Sequence, residues 1–373
     1  MTQTPSRQHS ILFLATEYAS GMRPYACTII HNMWNDRSHA IVVVKDEKYK
    51  QDFAHLDPER VHFITYPTGK LGKLWFKLHP TALIKEIDRI LEQAHIDVVY
   101  SLTGELVLCS SIAKIQKKVP VLYTVHDAIP HETKLPFVTL VKERLIVTWP
   151  QRALLRKTKN KITNSQCQLN YIKAHYPHSE AHYAPFPSLV NADIASGTQK
   201  VKETEGIADY ILFFGNVDIY KGVHYLHECY VKHPELHDRA LVLAGAGHYY
   251  FSIPNEQGRT VVINRFVDDK ELADLFNKAA VVVYPYMSAT QSGVISIASF
   301  FKRPIVLSDV GYFKEVATGF EGISFFENGN IDQMATAIMG AINSEESSQR
   351  IYKEVYSPHA MVEAITLILQ KLI

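Results

Sequence analysis

Short apolar runs alternate with longer amphipathic stretches along most of this chain. The runs at 11–15, 40–44, 61–66, 97–101 and 119–125, then 210–214, 240–244, 260–263, 281–284 and 304–308, read as strands buried on both faces. Amphipathic spacing predicts helices starting near Pro24 and over 223–232, 268–278, 294–301 and 358–373. The alternation of buried strand and amphipathic helix predicts an α/β protein of two doubly wound Rossmann-like domains facing a central cleft. The pattern loosens over 183–209, where prolines, a Ser-Gly pair and a charged run suggest a linker. The expected domains are therefore 1–190 and 209–357, and the final helix over 358–373, able to pack on either, is grouped with the first.

At 373 residues the chain is long enough for two cores, and 47% hydrophobic with 21% charged residues fits a soluble globular protein. The polar start leads directly into 11–15, so no signal peptide is predicted, and no apolar run reaches the length of a membrane span. Cys27, Cys109, Cys167 and Cys229 are widely spaced, which suits reduced thiols in a cytoplasmic protein and argues against a zinc site. Charge is asymmetric. Residues 1–195 carry 24 Lys+Arg and 17 Asp+Glu, leaving 15 and 21 of the chain's 39 and 38 for the rest. The basic half points to an anionic partner or surface, and nothing in the pattern points to nucleic acid.

The chemistry concentrates at strand ends. A buried run ends at Pro285, and the polar loop 288–293 then precedes an apolar helix. Free N–H groups at such a helix start attract phosphate, although an ordinary Ser/Thr-capped helix reads the same way. Candidate contacts there are Thr290, Gln291, Ser292 and Gly293. After the 210–214 strand, Gly215 and Asn216 form a turn, and Lys221 stands just before a helix, where its ammonium can reach a phosphate oxygen. Ser20-Gly21 follows the first strand, with Gly21 letting backbone approach a ligand, or serving merely as a turn glycine. His126 ends the fifth strand, where ligands bind in such folds, but it is one of 18 histidines, most of which must be structural or exposed. The turn Gly245-Ala246-Gly247 is not a dinucleotide fingerprint, since no GxGxxG continues.

Two basic stretches interleave with large apolar residues. Lys70, Lys73 and Lys77 alternate with Leu71, Leu74, Trp75, Phe76 and Leu78; a second stretch runs over 134–161 and ends at Lys161. Either alone suits a surface helix. Together, on the basic half, they predict peripheral contact with an anionic membrane.

The segments TVHDAIPH (124–131), FFGNVDIYKG (213–222), LVLAGAG (241–247), NRFVDDKELADLF (264–276), YPYMSATQSGV (284–294) and KRPIVLSDVG (302–311), with the Ser20-Gly21 loop, occur in an order and spacing that resembles the family-4 retaining glycosyltransferases of two-Rossmann (GT-B) architecture. The resemblance implies transfer of a sugar from a UDP- or GDP-linked donor to a lipid-linked or glycan acceptor hydroxyl, with retention and without metal or other cofactor. The first domain would hold the acceptor and the second the donor, on the cytoplasmic face of a membrane in polysaccharide biosynthesis. By the same resemblance Lys221, the start of the 294–301 helix and Gly21 would stabilise the departing diphosphate. His126 would meet the transferred sugar, and Arg265, Phe266 and Val267 would border the nucleobase. Three positions depart from the family: Asn216 replaces an arginine, and Ala289 and Ile297 replace two glutamates, the second of which holds the ribose. Arg265 or Arg23 is expected to offset the charge lost at Asn216. Two other readings compete: a sugar-nucleotide epimerase of the same fold, and a non-catalytic glycosyltransferase-like subunit.

Overall fold

The computed structural model describes residues 9–18, 22–103, 105–128, 149–253 and 259–373. Contacts divide the chain into two units, Met1–Pro185 with Met361–Ile373, and Phe186–Ala360. The final helix, Pro358–Leu372, places most of its length in the first unit.

The first unit carries strands β1 (Ile11–Tyr18), β2 (His39–Val44), β3 (Val61–Thr65), β4 (Val98–Thr103), β5 (Val121–Thr124), β6 (Asn160–Thr163) and β7 (Glu180–Tyr183). Its sheet has the order β3-β2-β1-β4-β5-β6-β7, parallel throughout. Helices α1 (Met22–Met33), α2 (Lys70–Leu78) and α3 (Thr81–Gln93) lie in the first half of this unit. Helix α1 already includes Met22, two residues before the expected start at Pro24. Strand β1 runs three residues past its predicted end because its polar tail finds partners. The Thr16 hydroxyl donates to the Thr103 carbonyl at 2.9 Å, and the Tyr18 hydroxyl donates to Asp52 at 2.6 Å.

The second unit carries β8 (Tyr210–Phe214), β9 (Leu241–Ala244), β10 (Thr260–Ile263), β11 (Ala279–Tyr284), β12 (Ile305–Ser308) and β13 (Ile323–Phe326). The order is β10-β9-β8-β11-β12-β13, again all parallel. Side chains of β8, β9, β11 and β12 are buried from both faces, as their unbroken apolar runs require.

Two expectations need correction here. The stretch 183–209 is not a loose linker. It forms the short helix Ala192–Ser196, capped by Asn191 accepting from the Ile194 amide, and Ile194, Val201 and Ile207 sit in the second core. The predicted 268–278 helix opens instead as a 3-10 turn, Asp269–Glu271, closed by a capping box between Asp268 and Glu271, and continues as the α-helix Leu272–Asn277.

Candidate functional site

In the second sheet the chain order reverses at β8, whose neighbours are β9 and β11. The crevice outside the carboxyl ends of such a strand pair is where open parallel sheets bind ligands. Gly215 and Lys221 follow β8, and the loop 285–293 follows β11, so the sheet brings both predicted segments to its switch point. They are bound together by backbone. The Met287 amide donates to the Tyr220 carbonyl at 2.7 Å. Gly222 has φ +64°, and a Cβ there would lie 1.9 Å from the Pro285 carbonyl oxygen, so only glycine permits this approach.

Lys221 reaches back over the turn. Its Nζ lies 3.2 Å from where a Cβ on Gly215 would be, so any side chain at 215 would displace the ammonium. The same Nζ sits 5.4 Å from the centre of the Tyr286 ring and 5.9 Å from that of Tyr220. Among the described residues no carboxylate pairs with it. Burial holds its pKa below the ordinary lysine value, opposed in part by Tyr220 and Asp218. Lys221 is a partly desolvated cation with no described carboxylate in ion-pair reach, at a switch point where open parallel sheets bind ligands.

Ser292 belongs to the same cluster: its side chain lies by the Tyr286 hydroxyl, and its carbonyl accepts from the Tyr312 hydroxyl at 3.3 Å. Thr290 and Gln291 are half-buried in the loop between. Gly293 immediately precedes the helix Val294–Phe300, which starts without a side-chain cap. A Cβ on Gly293 would meet Phe186 and Leu189 at 2.6–2.7 Å, so this glycine serves packing. Tyr286 escaped the sequence reading because an aromatic after a strand proline carries no periodic signal.

The charge expected from Arg265 is not available. Its guanidinium is held by Glu203 at 2.7 and 2.9 Å and by Glu271 at 2.7 and 2.8 Å. Arg23 is likewise closed on Asp52 by two bonds of 2.8 Å. Neither offsets the neutral Asn216, which is exposed. Beside Arg265, Val267 is buried while the Phe266 ring is 68% exposed. Ile297, at the place of the ribose glutamate, is 3% exposed in the core.

In the first unit His126 follows β5. Its Nε2 donates to the Leu102 carbonyl at 2.8 Å, and its ring stands edge-on to Tyr25 with centroids 4.8 Å apart. Gln168 clamps the loop by donating to the His126 carbonyl and accepting from the Ala128 amide. Burial lowers the His126 pKa, so near neutral pH the ring is uncharged. With Nε2–H committed to the Leu102 carbonyl, the neutral ring carries its lone pair on Nδ1. Gly21 lies outside the described residues, as do 134–148 of the second basic stretch. A polar groove of about 380 Å³ lined by Lys117, Lys118, Lys159 and Lys371 lies at the amino ends of β5, β6 and β7, away from His126.

The first basic stretch forms α2, on which Leu71, Leu74, Trp75 and Leu78 are 84%, 45%, 66% and 48% exposed, while Phe76 is buried. The second departs from its reading at Lys161. This residue is fully buried in β6, donates to the Thr158 carbonyl, and has its pKa lowered to about 8 by desolvation. It presents no charge to a surface. No described helix is long and apolar enough to cross a membrane.

Residues 208–344 match the family described as "Glycosyl transferases group 1", which bears out the resemblance to glycosyltransferases for most of the second unit. No curated protein matches the chain by sequence. Among solved structures the chain is similar to Alr3699/HepE of Anabaena, solved with UDP and glucose, at 18% identity and TM-score 0.69 over 98% of this chain and 100% of that one. It is similar to the sucrose-phosphate synthase of Thermosynechococcus elongatus at 14% identity and TM-score 0.65, covering 98% and 99%. A third is WaaG, a glycosyltransferase involved in lipopolysaccharide biosynthesis, at 15% identity and TM-score 0.57, covering 97% of each chain. At these identities the likeness establishes the fold, which is the expected two-Rossmann (GT-B) α/β class.

Proposed function

We propose that this protein is a retaining glycosyltransferase whose second unit binds a nucleoside-diphosphate sugar at the carboxyl ends of β8 and β11. The observation that carries the reading is Lys221: a half-buried ammonium with no described carboxylate in ion-pair reach, held over two tyrosine rings at the sheet's switch point. Its charge, with neutral donors of the 290–293 loop, would stabilise the diphosphate as the glycosidic bond breaks, and this needs no metal. The acceptor hydroxyl would attack on the face that the diphosphate leaves, its proton passing to a phosphate oxygen. His126, neutral and accepting, would ease positive charge on the sugar ring. Phe266 offers an exposed ring to the nucleobase.

The family matched over 208–344 supports the chemistry, and HepE, of the same fold, was solved with UDP and with UDP-glucose. Thermal shift with UDP, GDP, ADP and their common sugars tests it, since a ligand of the folded state raises the Tm with concentration. A UDP or GDP shift followed by acceptor-stimulated release of that nucleotide supports transfer. Tight binding without turnover supports the non-catalytic subunit, a second reading favoured by the burial of Ile297 where the ribose glutamate would stand.

The acceptor would be lipid-linked or a glycan, reached at the cytoplasmic face of a membrane through α2. Three lysines on a nine-residue helix with four exposed apolar side chains suit an anionic lipid surface. Vesicles with anionic lipid should sediment the protein at low salt, and Leu71→Ser with Trp75→Ser should abolish this; equal sedimentation of the double variant rules α2 out.

A further inference from the structure

Tyr286 is 2% exposed, and its hydroxyl has no hydrogen-bond partner of good geometry among the described residues. Burial raises its pKa well above the ordinary tyrosine value, and Ser292 lies near enough to pull it back only slightly. The group is therefore a neutral donor at any physiological pH. Buried hydroxyls are normally satisfied, and one left open costs stability unless something outside the chain completes it.

Its surroundings fix where it points. The Ser308 hydroxyl donates to the Tyr286 carbonyl, and the ring packs against Phe313 and edge-on to Tyr284 and Tyr220. The hydroxyl lies 3.8 Å from the position of a Cβ on Gly215, and Lys221 Nζ lies 3.2 Å from that same position. Two donors, one charged and one neutral, thus converge on the position that a Cβ at Gly215 would take. Asn216 brings no second cation there, and Arg265 is closed by its glutamates.

We propose that the Tyr286 hydroxyl is a diphosphate contact, donating to a phosphate oxygen held by Lys221 and standing in for a second cation. This rests on the donor reading above. The test is Tyr286→Phe, which removes one oxygen and keeps the ring under Lys221. Affinity for whichever of UDP, GDP and ADP the wild type binds, and for the corresponding nucleoside, is measured by calorimetry, with the Tm of the free protein. The expected result is a roughly 5- to 30-fold loss for the diphosphate, an unchanged affinity for the nucleoside, and a free-protein Tm equal to or above wild type. Equal diphosphate affinity in wild type and variant overturns the inference while leaving the donor reading intact. So does a fall in the free-protein Tm, which would mean that water or Ser292 already satisfies the hydroxyl, or an equal loss for nucleoside and diphosphate. A wild type that binds none of UDP, GDP and ADP overturns the donor reading itself, before any variant is made.

Discussion

Replacing Lys221 by methionine removes the ammonium but keeps the aliphatic stem beside Tyr220 and Tyr286. Two estimates bound the loss. A hydrogen bond to a charged partner contributes about 1.5–3 kcal/mol. Opposite unit charges about 4 Å apart interact by roughly 4 kcal/mol at an effective dielectric constant near 20. The lysine is desolvated already in the free protein, so little of this attraction is lost on binding. Diphosphate affinity should fall about 10- to 1,000-fold, while the Tm of the free protein holds or rises because an unpaired half-buried charge has gone. The pH profile sharpens the test. Burial depresses the Lys221 pKa and a bound diphosphate raises it again, so affinity is full below the depressed value and falls as pH rises through it. That decline should begin below the usual lysine range, and Lys221→Arg, charged throughout, should abolish it. Calorimetry with UDP and GDP from pH 7 upward reads both effects. A methionine variant within twofold of wild type, or identical profiles for lysine and arginine, would refute the phosphate role.

Lys161→Met tests the buried amine of β6. With a folded pKa of about 8 against 10.5, both states hold the proton below pH 8, so the desolvation penalty is full there. Between about 8 and 10.5 only the unfolded chain holds it, and stability rises with pH. The variant should be about 1–3 kcal/mol more stable at pH 7 and should lose that alkaline gain; urea melts at pH 7 and 9.5 showing a less stable variant would sink the argument. Arg265→Ala should cost about 1 kcal/mol of stability yet leave diphosphate affinity within threefold, since two glutamates already neutralise the charge. Phe266→Ala should weaken nucleoside and nucleoside diphosphate alike by about 1 kcal/mol or more, a pattern opposite to that of Lys221→Met. A selective loss of the diphosphate in either variant would contradict these assignments.

The strands most legible in the sequence were those buried on both faces by aliphatic runs, such as 210–214 and 40–44. The strands that escaped were short or polar. NKIT over β6 buries Asn160 and Lys161, and a buried lysine mimics a surface residue in any pattern of hydropathy. EAHY over β7 lies at the sheet edge, exposed to half-buried. The end of β1 was lost because Thr16 and Tyr18 are buried through hydrogen bonds to Thr103 and Asp52, contacts separated by 87 and 34 residues. The 183–209 stretch looked like a linker because its three core residues, Ile194, Val201 and Ile207, have no helical or strand period. Burial there is set by tertiary contact alone.

The site divides along the same line. Gly215 and Lys221 were readable because turn glycine and flanking lysine are local signals, and the parallel topology then places them beside the 285–293 loop. The pairing of arginines was not readable, since Glu203 and Glu271 reach Arg265 from 62 and 6 residues away. This pairing changes the electrostatics. The two arginines expected to compensate Asn216 are spoken for, so within the described part of the second unit Lys221 is the cation that faces the switch point without a carboxylate. A diphosphate bears more charge than one ammonium balances. In the proposed seat the remainder would fall to neutral donors, the Tyr286 and Ser292 hydroxyls and the amides of the 290–293 loop. Neutral donors fix the position of the phosphates without adding long-range attraction, and their strength does not vary with pH over the physiological range. A seat so built would gain its affinity at short range, from geometry set by Gly215, Gly222 and the tyrosine rings. Salt should therefore weaken it less than it would a seat formed by two exposed cations.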